Sequence, residues 1–193
     1  MQQTCSFKDG KILIRPFRAE DISAVFEAVR ESINEVAPWL PWCHADYKVE
    51  ETTEFIMSCD EAWKNGTYYG FGIFDAKTGK FLGGVGLSQI NPAHQMGNLG
   101  YWVRTSCAGH GVASSAARLA ARFALEELKL QRVEILAATG NHASQRVAEK
   151  TGATREGVLR KRLLVKGQAQ DAVLYSLVSE DFGVSSEQQA VSS

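Results

Sequence analysis

Apolar residues recur along this chain with two periods, near 3.6 and near 2, and their order predicts a fold class. Ile22, Val25, Phe26, Val29 and Ile33 share one face of a helix over residues 19–36. Phe55, Ile56, Cys59 and Trp63 mark a second helix over 49–64, which Asn65-Gly66 stops. The clearest helix spans 112–128, with Ala116, Leu119, Ala120, Phe123, Ala124 and Leu128 as its apolar stripe. Extended segments are predicted at 11–17, 67–74, 80–90 and 98–104, punctuated by Ala76-Lys77-Thr78-Gly79 and Asn91-Pro92. The last three have short connections and are expected to form an antiparallel meander. A strand at 132–138, a short helix from Asn141 to Gly152, and a hairpin of 154–165 with 169–178 complete the chain. The order β-α-α-β-β-β-α-β-α-β-β predicts a mixed α/β (α+β) domain. Its central sheet is largely antiparallel, with about seven strands and about four helices, one of them crossing between two sheet segments.

The 193 residues suit a single domain over 11–182, after an N-terminal extension of residues 1–10. Val184 to Ser193 are rich in Ser and Gln, and residues 183–193 are expected to form a disordered tail. Hydrophobic residues make up 45% and charged residues 22%, the balance of an ordinary globular chain. A net charge of -1 argues against a nucleic-acid partner. Met1 to Lys8 lack a secretory pattern and no apolar run has the length of a membrane span, so a cytoplasmic protein without a membrane partner is expected. Cys5, Cys43, Cys59 and Cys107 have no C-x-x-C spacing and read as reduced thiols, with no metal site expected.

Candidate chemistry concentrates where the strand Gly100 to Arg104 runs through Thr105-Ser106-Cys107-Ala108 into Gly109-His110-Gly111-Val112-Ala113-Ser114 and the long helix. Glycines permit positive φ and uncover the backbone, successive N–H groups form an anion nest, and the helix N-terminus adds orphan donors. Such a junction suits a pyrophosphate. It also fits a plain strand-to-helix turn. Gly109-x-Gly111-x-x-Ser114 loosely mimics a dinucleotide fingerprint, but the preceding strands are antiparallel and no βαβ unit surrounds it. No Gly-Lys-Ser/Thr follows, which excludes a P-loop.

The later segment Asn141-His142-Ala143-Ser144-Gln145-Arg146-Val147-Ala148-Glu149-Lys150-Thr151-Gly152 taken alone is a capped helix. Together, Gly109-x-Gly111-x-Ala113 and Asn141-x-x-Ser144-x-x-x-x-Glu149-Lys150-x-Gly152 resemble the GNAT acetyltransferase superfamily over about residues 11 to 182. Leu13-Ile14-Arg15-Pro16, Trp39-Leu40-Pro41-Trp42, Gly100-Tyr101-Trp102 and Glu156-Gly157 are similar to the ribosomal-protein N-terminal acetyltransferase (Rim) branch.

The resemblance implies an acetyl-CoA-dependent N-acetyltransferase. Its partners would be acetyl-CoA and a primary amine, either a protein N-terminus or a small amine such as an antibiotic or polyamine. A non-catalytic CoA-binding domain is a further alternative, and a homodimer an alternative to a monomer. It implies that Trp102, Val103 and Arg104 lie along the pantetheine arm, with the Val103 N–H facing the thioester oxyanion. Gly109, His110, Gly111, Val112, Ala113 and Ser114 would hold the pyrophosphate, Asn141 the pantetheine, and Ser144 the sulfur.

The chain departs from the family at several positions. Ser106 stands where Gln or Arg is frequent, and Asn98 and Leu163 stand where some relatives carry an acid. Ala148 replaces a tyrosine that serves as general acid, which leaves Ser144 to protonate the leaving thiolate. Trp39, Trp42, His44 and Asp46 are candidates for the acceptor wall. Glu35, His44, Asp46 and His142 are candidate bases, against the plainer reading of each as a solvated group. Arg160-Lys161-Arg162 with Lys166 reads as a solvated basic face, or as a contact for the CoA 3′-phosphate or an acidic acceptor.

Overall fold

The computed structural model describes residues 6–183; residues 1–5, with Cys5, and residues 184–193 of the expected tail lie outside them. Its strands are β1 (Phe7–Lys8), β2 (Ile12–Pro16), β3 (Tyr69–Asp75), β4 (Phe81–Asn91), β5 (Met96–Val103), β6 (Arg132–Ala138), β7 (Thr154–Val165) and β8 (Gln168–Leu177). The helices are α1 (Ile22–Val36), α2 (Val49–Lys64), α3 (Val112–Glu126) and α4 (His142–Thr151). One sheet runs in the order β1-β2-β3-β4-β5-β6-β8-β7, so it has eight strands rather than seven. The added strand is β1, where Phe7 and Lys8 pair with Ile14 and Leu13. A two-residue strand carries no periodicity, and hence no signal in the sequence.

All pairings are antiparallel except β5 with β6, which α3 connects. A parallel neighbour needs a crossover, and α3 provides it. The stripe of α3 is largely alanine: Ala116, Ala117, Ala120, Ala121 and Ala124 are fully buried and let the helix lie close to the sheet. Phe123 fills the remaining space, its ring 5.3 Å from Phe71, 5.5 Å from Trp63 and 5.5 Å from Phe7. Such ring pairs add roughly 0.5–1.5 kcal/mol beyond the area they bury. A second core cluster lies against the sheet under α1 and α2, built on Phe17, Val25, Val29, Ile56 and Phe81.

Ion pairs pin the two ends of the sheet. Arg15 on β2 donates two hydrogen bonds of 2.8 Å to Asp21, which also accepts the Arg18 N–H ahead of α1. At the other end, Arg132 donates to both Glu156 oxygens at 2.7 and 2.6 Å, and the Ser176 hydroxyl donates to Glu156 at 2.6 Å. Arg132 first, then Ser176, pulls the Glu156 carboxyl from 4.5 down to about 2. A carboxyl depressed in the folded state stabilises fully above its unfolded value, and that share is lost as pH falls through 4.5 toward 2. Glu156→Gln is therefore expected to lower urea midpoints at neutral pH and to flatten their decline across that acid window. A variant with an unchanged acid limb would show that Glu156 is not the titrating group.

Candidate functional site

The sheet opens at its middle. β5 pairs with β4 to its end, but with β6 only over Met96–Asn98 against Arg132–Glu134. Beyond that point β6 follows β8 as far as Ala138. The gap is a cleft of about 480 Å3, lined by β5 on one side and Ile135 to Ala138 on the other.

Backbone groups in a strand point alternately to its two edges. The Arg104 N–H donates to Leu82 of β4 at 2.8 Å. Counting back from it, Trp102 also turns its N–H to β4, whereas Val103 and Tyr101 turn theirs to the gap. Arg104 is used up further. Its carbonyl accepts the Cys107 N–H and its guanidinium pairs with Glu31. Of the three consecutive residues expected along the donor, only Val103 thus offers its backbone to the cleft. Trp102 is among the residues that line it, and Arg104 is not.

A 3-10 turn at Thr105–Cys107 leads to the cleft mouth. Gly109 and Gly111 both have φ of +80°, the left-handed region that favours glycine. Gly111 is the N-cap of α3, so the Val112, Ala113 and Ser114 N–H groups have no partner within the helix. The first α-helical bond is Ser115 N–H to the Gly111 carbonyl, 3.0 Å. A Cβ on Gly109 would meet nothing within 4 Å, so the backbone there faces open space. His110 is exposed and, unlike its neighbours Gly109 and Gly111, does not line the cleft.

α4 begins on the opposite lip. Asn141 Oδ1 accepts the Ser144 N–H at 3.0 Å, and Gly152, at φ +93°, ends the helix. Ala143, Arg146, Val147 and Lys150 share the face toward the cleft, and so bring two cations to it. The basic run Arg160, Lys161 and Arg162 lies exposed on β7 and does not line the cleft. The i, i+4 spacing of Arg146 and Lys150 on the helix of the Asn141 motif was the available signal for the two cations that do.

Ser144 does not stand alone. The Tyr101 hydroxyl donates to the Ser144 carbonyl at 2.9 Å and lies 3.2 Å from Ser144 Oγ. Burial pushes the Tyr101 phenol up to about 12, so it keeps its proton at neutral pH. Ala148 is fully buried in the core and does not line the cleft. Tyr101, on β5, places a phenol hydroxyl beside the Ser144 hydroxyl. Asn98 Oδ1 also belongs to the cleft wall and is buried without a hydrogen-bond partner.

A second cavity of about 830 Å3 lies among α1, α2, the loop after α1 and the strands β4 and β5. It meets the first at Leu40, Gly100, Tyr101 and Trp102, which line both. Its acidic lining is Glu51 and Glu54, with His44 beside Glu51. Trp42 packs at 5.7 Å from Trp102 and 6.1 Å from Tyr47. His44 Nε2 lies 2.9 Å from Glu51 Oε2, on the rim. Of the four residues expected on the acceptor wall, Trp42 and His44 line this cavity. Trp39 lines the donor-side cleft, its ring 3.6 Å from a Cβ placed on Gly140, and Asp46 is exposed and lines neither. The loop turns between Trp39 and Trp42, which sends the two rings to different cavities. Of the other candidate bases, Glu35 accepts the Thr105 hydroxyl and His142 is exposed.

Two cavities meet at one strand, and one of them has the free N–H groups of a helix N-terminus at its mouth, an arrangement that suits two substrates of which one carries a phosphate. A family profile described as "Acetyltransferase (GNAT) domain" matches residues 11–154, and the chain belongs to that family. Over 185 residues it is 29% identical to the Bacillus subtilis protein named "Putative ribosomal N-acetyltransferase YdaF", covering 93% of this chain and 97% of that one. The ribosomal-protein-S5-alanine acetyltransferase of Vibrio fischeri shares the fold at a TM-score of 0.81 and 23% identity, over 92% of this chain and 98% of that one. RimL, a ribosomal L7/L12 alpha-N-protein acetyltransferase solved with coenzyme A, shares it at 0.80 and 20% identity, over 88% and 95%. Among the described residues no helix is long and apolar enough to cross a membrane, and no group of three His, Cys, Asp or Glu residues could hold a metal ion.

Proposed function

We propose that this chain moves the acetyl group of acetyl-CoA to the free amine of a protein N-terminus, in the cytoplasm and by direct attack in a ternary complex. The observation that carries this reading is the junction of the two cavities at Gly100 to Trp102, which lets a donor and an acceptor meet from opposite sides. The donor fits the smaller cleft. The N–H groups of Val112, Ala113 and Ser114 would take the pyrophosphate. Arg146 and Lys150 are close enough to the cleft to offset the donor's charge.

The amine, having lost a proton to water at the open chamber, attacks the thioester carbon. The new oxyanion accepts the Val103 N–H, a preorganised donor aimed where charge develops. Collapse breaks the C–S bond; the leaving thiolate takes its proton from the Ser144 hydroxyl, beside the Tyr101 phenol, and Ser144 regains a proton from the acylated nitrogen, which leaves as the neutral amide. Support for a peptide acceptor comes from the relatives named for ribosomal proteins.

A thiol-release assay with acetyl-CoA tests the acceptor class. Peptides with free Ser or Ala termini are expected to be turned over and Nα-blocked peptides not; turnover of polyamines or aminoglycosides alone would reassign the chamber. In the same assay Trp42→Ala is expected to raise acceptor KM about tenfold, since one well-packed aromatic anchor is worth roughly 1–2 kcal/mol. The Kd for CoA should stay within twofold. Proportional loss of both would make Trp42 a core residue.

A further inference from the structure

Helix α1 reaches across to the turn that precedes the anion nest. The Thr105 N–H donates to Ser32 Oγ at 3.0 Å, and the Thr105 hydroxyl donates to Glu35 at 3.0 Å. The Ser106 N–H donates to one Glu31 oxygen at 2.9 Å, and Arg104 Nε donates to the other. Ser32 is fully buried, and its own proton goes to the Ala28 carbonyl at 2.7 Å, so its oxygen is held as an acceptor. The turn itself is closed by Cys107 N–H to the Arg104 carbonyl and Ala108 N–H to the Thr105 carbonyl. A single residue, Ala108, separates this turn from Gly109, so the position of the turn sets where the nest begins.

Glu31 is the member of this set that holds two segments at once, the end of β5 through Arg104 and the turn through Ser106. We propose that Glu31 is a positioning residue for the donor: its carboxylate fixes the 105–107 turn so that the N–H groups from Gly109 to Ser114 converge on the pyrophosphate. This rests on the reading of those residues as the donor's cradle. Ser106, through hydroxyl and N–H, and then Arg104 hold the Glu31 carboxyl down at about 2, so the latch is charged across the whole working range of pH. α1 also lines the acceptor chamber through Val25 and Val29, so a general loosening of α1 would disturb both substrates. The two cases separate by choice of donor.

The experiment compares acetyl-CoA with S-acetyl-pantetheine, which has the same thioester and amides but no pyrophosphate. Glu31→Ala is expected to raise KM for acetyl-CoA about tenfold, the scale of losing hydrogen bonds to a charged group. Acceptor KM and kcat at saturating donor should stay within twofold, as should kcat/KM with S-acetyl-pantetheine. Glu31→Gln keeps an oxygen for the Ser106 N–H and should show a smaller rise; it carries the same comparison if the alanine variant does not fold. Equal losses with both donors, or an unmoved KM for acetyl-CoA, overturn the proposal. A wild-type chain that uses the two donors equally well overturns the cradle itself. One that prefers acetyl-CoA, with the preference intact in Glu31→Ala, overturns the latch alone.

Discussion

Replacing Ser144 by alanine is expected to lower kcat about 10²-fold while leaving the Kd for acetyl-CoA within twofold. A hydrogen bond to a leaving thiolate strengthens as the C–S bond breaks, so its loss appears in the transition state more than in the ground state. A general acid typically contributes 10²–10⁴-fold, and the lower figure is expected here because Tyr101 Oη lies 3.2 Å from the serine oxygen. Tyr101→Phe should cost less alone, and the double variant more than the product of the two, since the hydroxyl that stands in for Ser144 is then also gone. Steady-state kinetics with calorimetric donor binding reads all three. A Ser144→Ala enzyme with kcat within twofold of wild type reduces Ser144 to a first-turn residue of α4.

Gly111→Val is expected to weaken CoA binding by 10²-fold or more. Its φ of +80° is costly for a β-branched residue, and strain of that kind costs about 1–3 kcal/mol whatever surrounds it. A fall in stability alone would therefore say nothing about binding. Gly79, in the turn between β3 and β4, supplies the control: its φ is +72° and a Cβ there meets nothing within 4 Å. Gly79→Val should lose a comparable amount of stability and keep its affinity for CoA. The two variants should thus share a fall in Tm and differ in calorimetry. Equal affinity in both would remove the pyrophosphate from the mouth of α3.

The sequence by itself determined the order of the elements from β2 onward, the two left-handed glycines before α3, the Asn141 cap and the Gly152 stop. Each of these is local: periodicity follows from the geometry of one helix or strand, and a cap or a positive φ is fixed within a few residues. What only the tertiary structure decided depends on rotational phase and on distant partners. The hydrogen bond from Arg104 to Leu82 sets which N–H groups of β5 face the gap, and it gives that role to Val103 while withdrawing Trp102 and Arg104. No spacing in the chain records which edge of a strand is taken. Tyr101 meets Ser144 across 43 residues, because β5 and α4 border one cleft. Trp39 and Trp42 stand three residues apart in one loop, yet the path of the backbone between them sends one ring to the smaller cleft and the other to the larger chamber. Glu31 carried no motif at all, and its place beside Ser106 exists only because α1 packs against the end of β5.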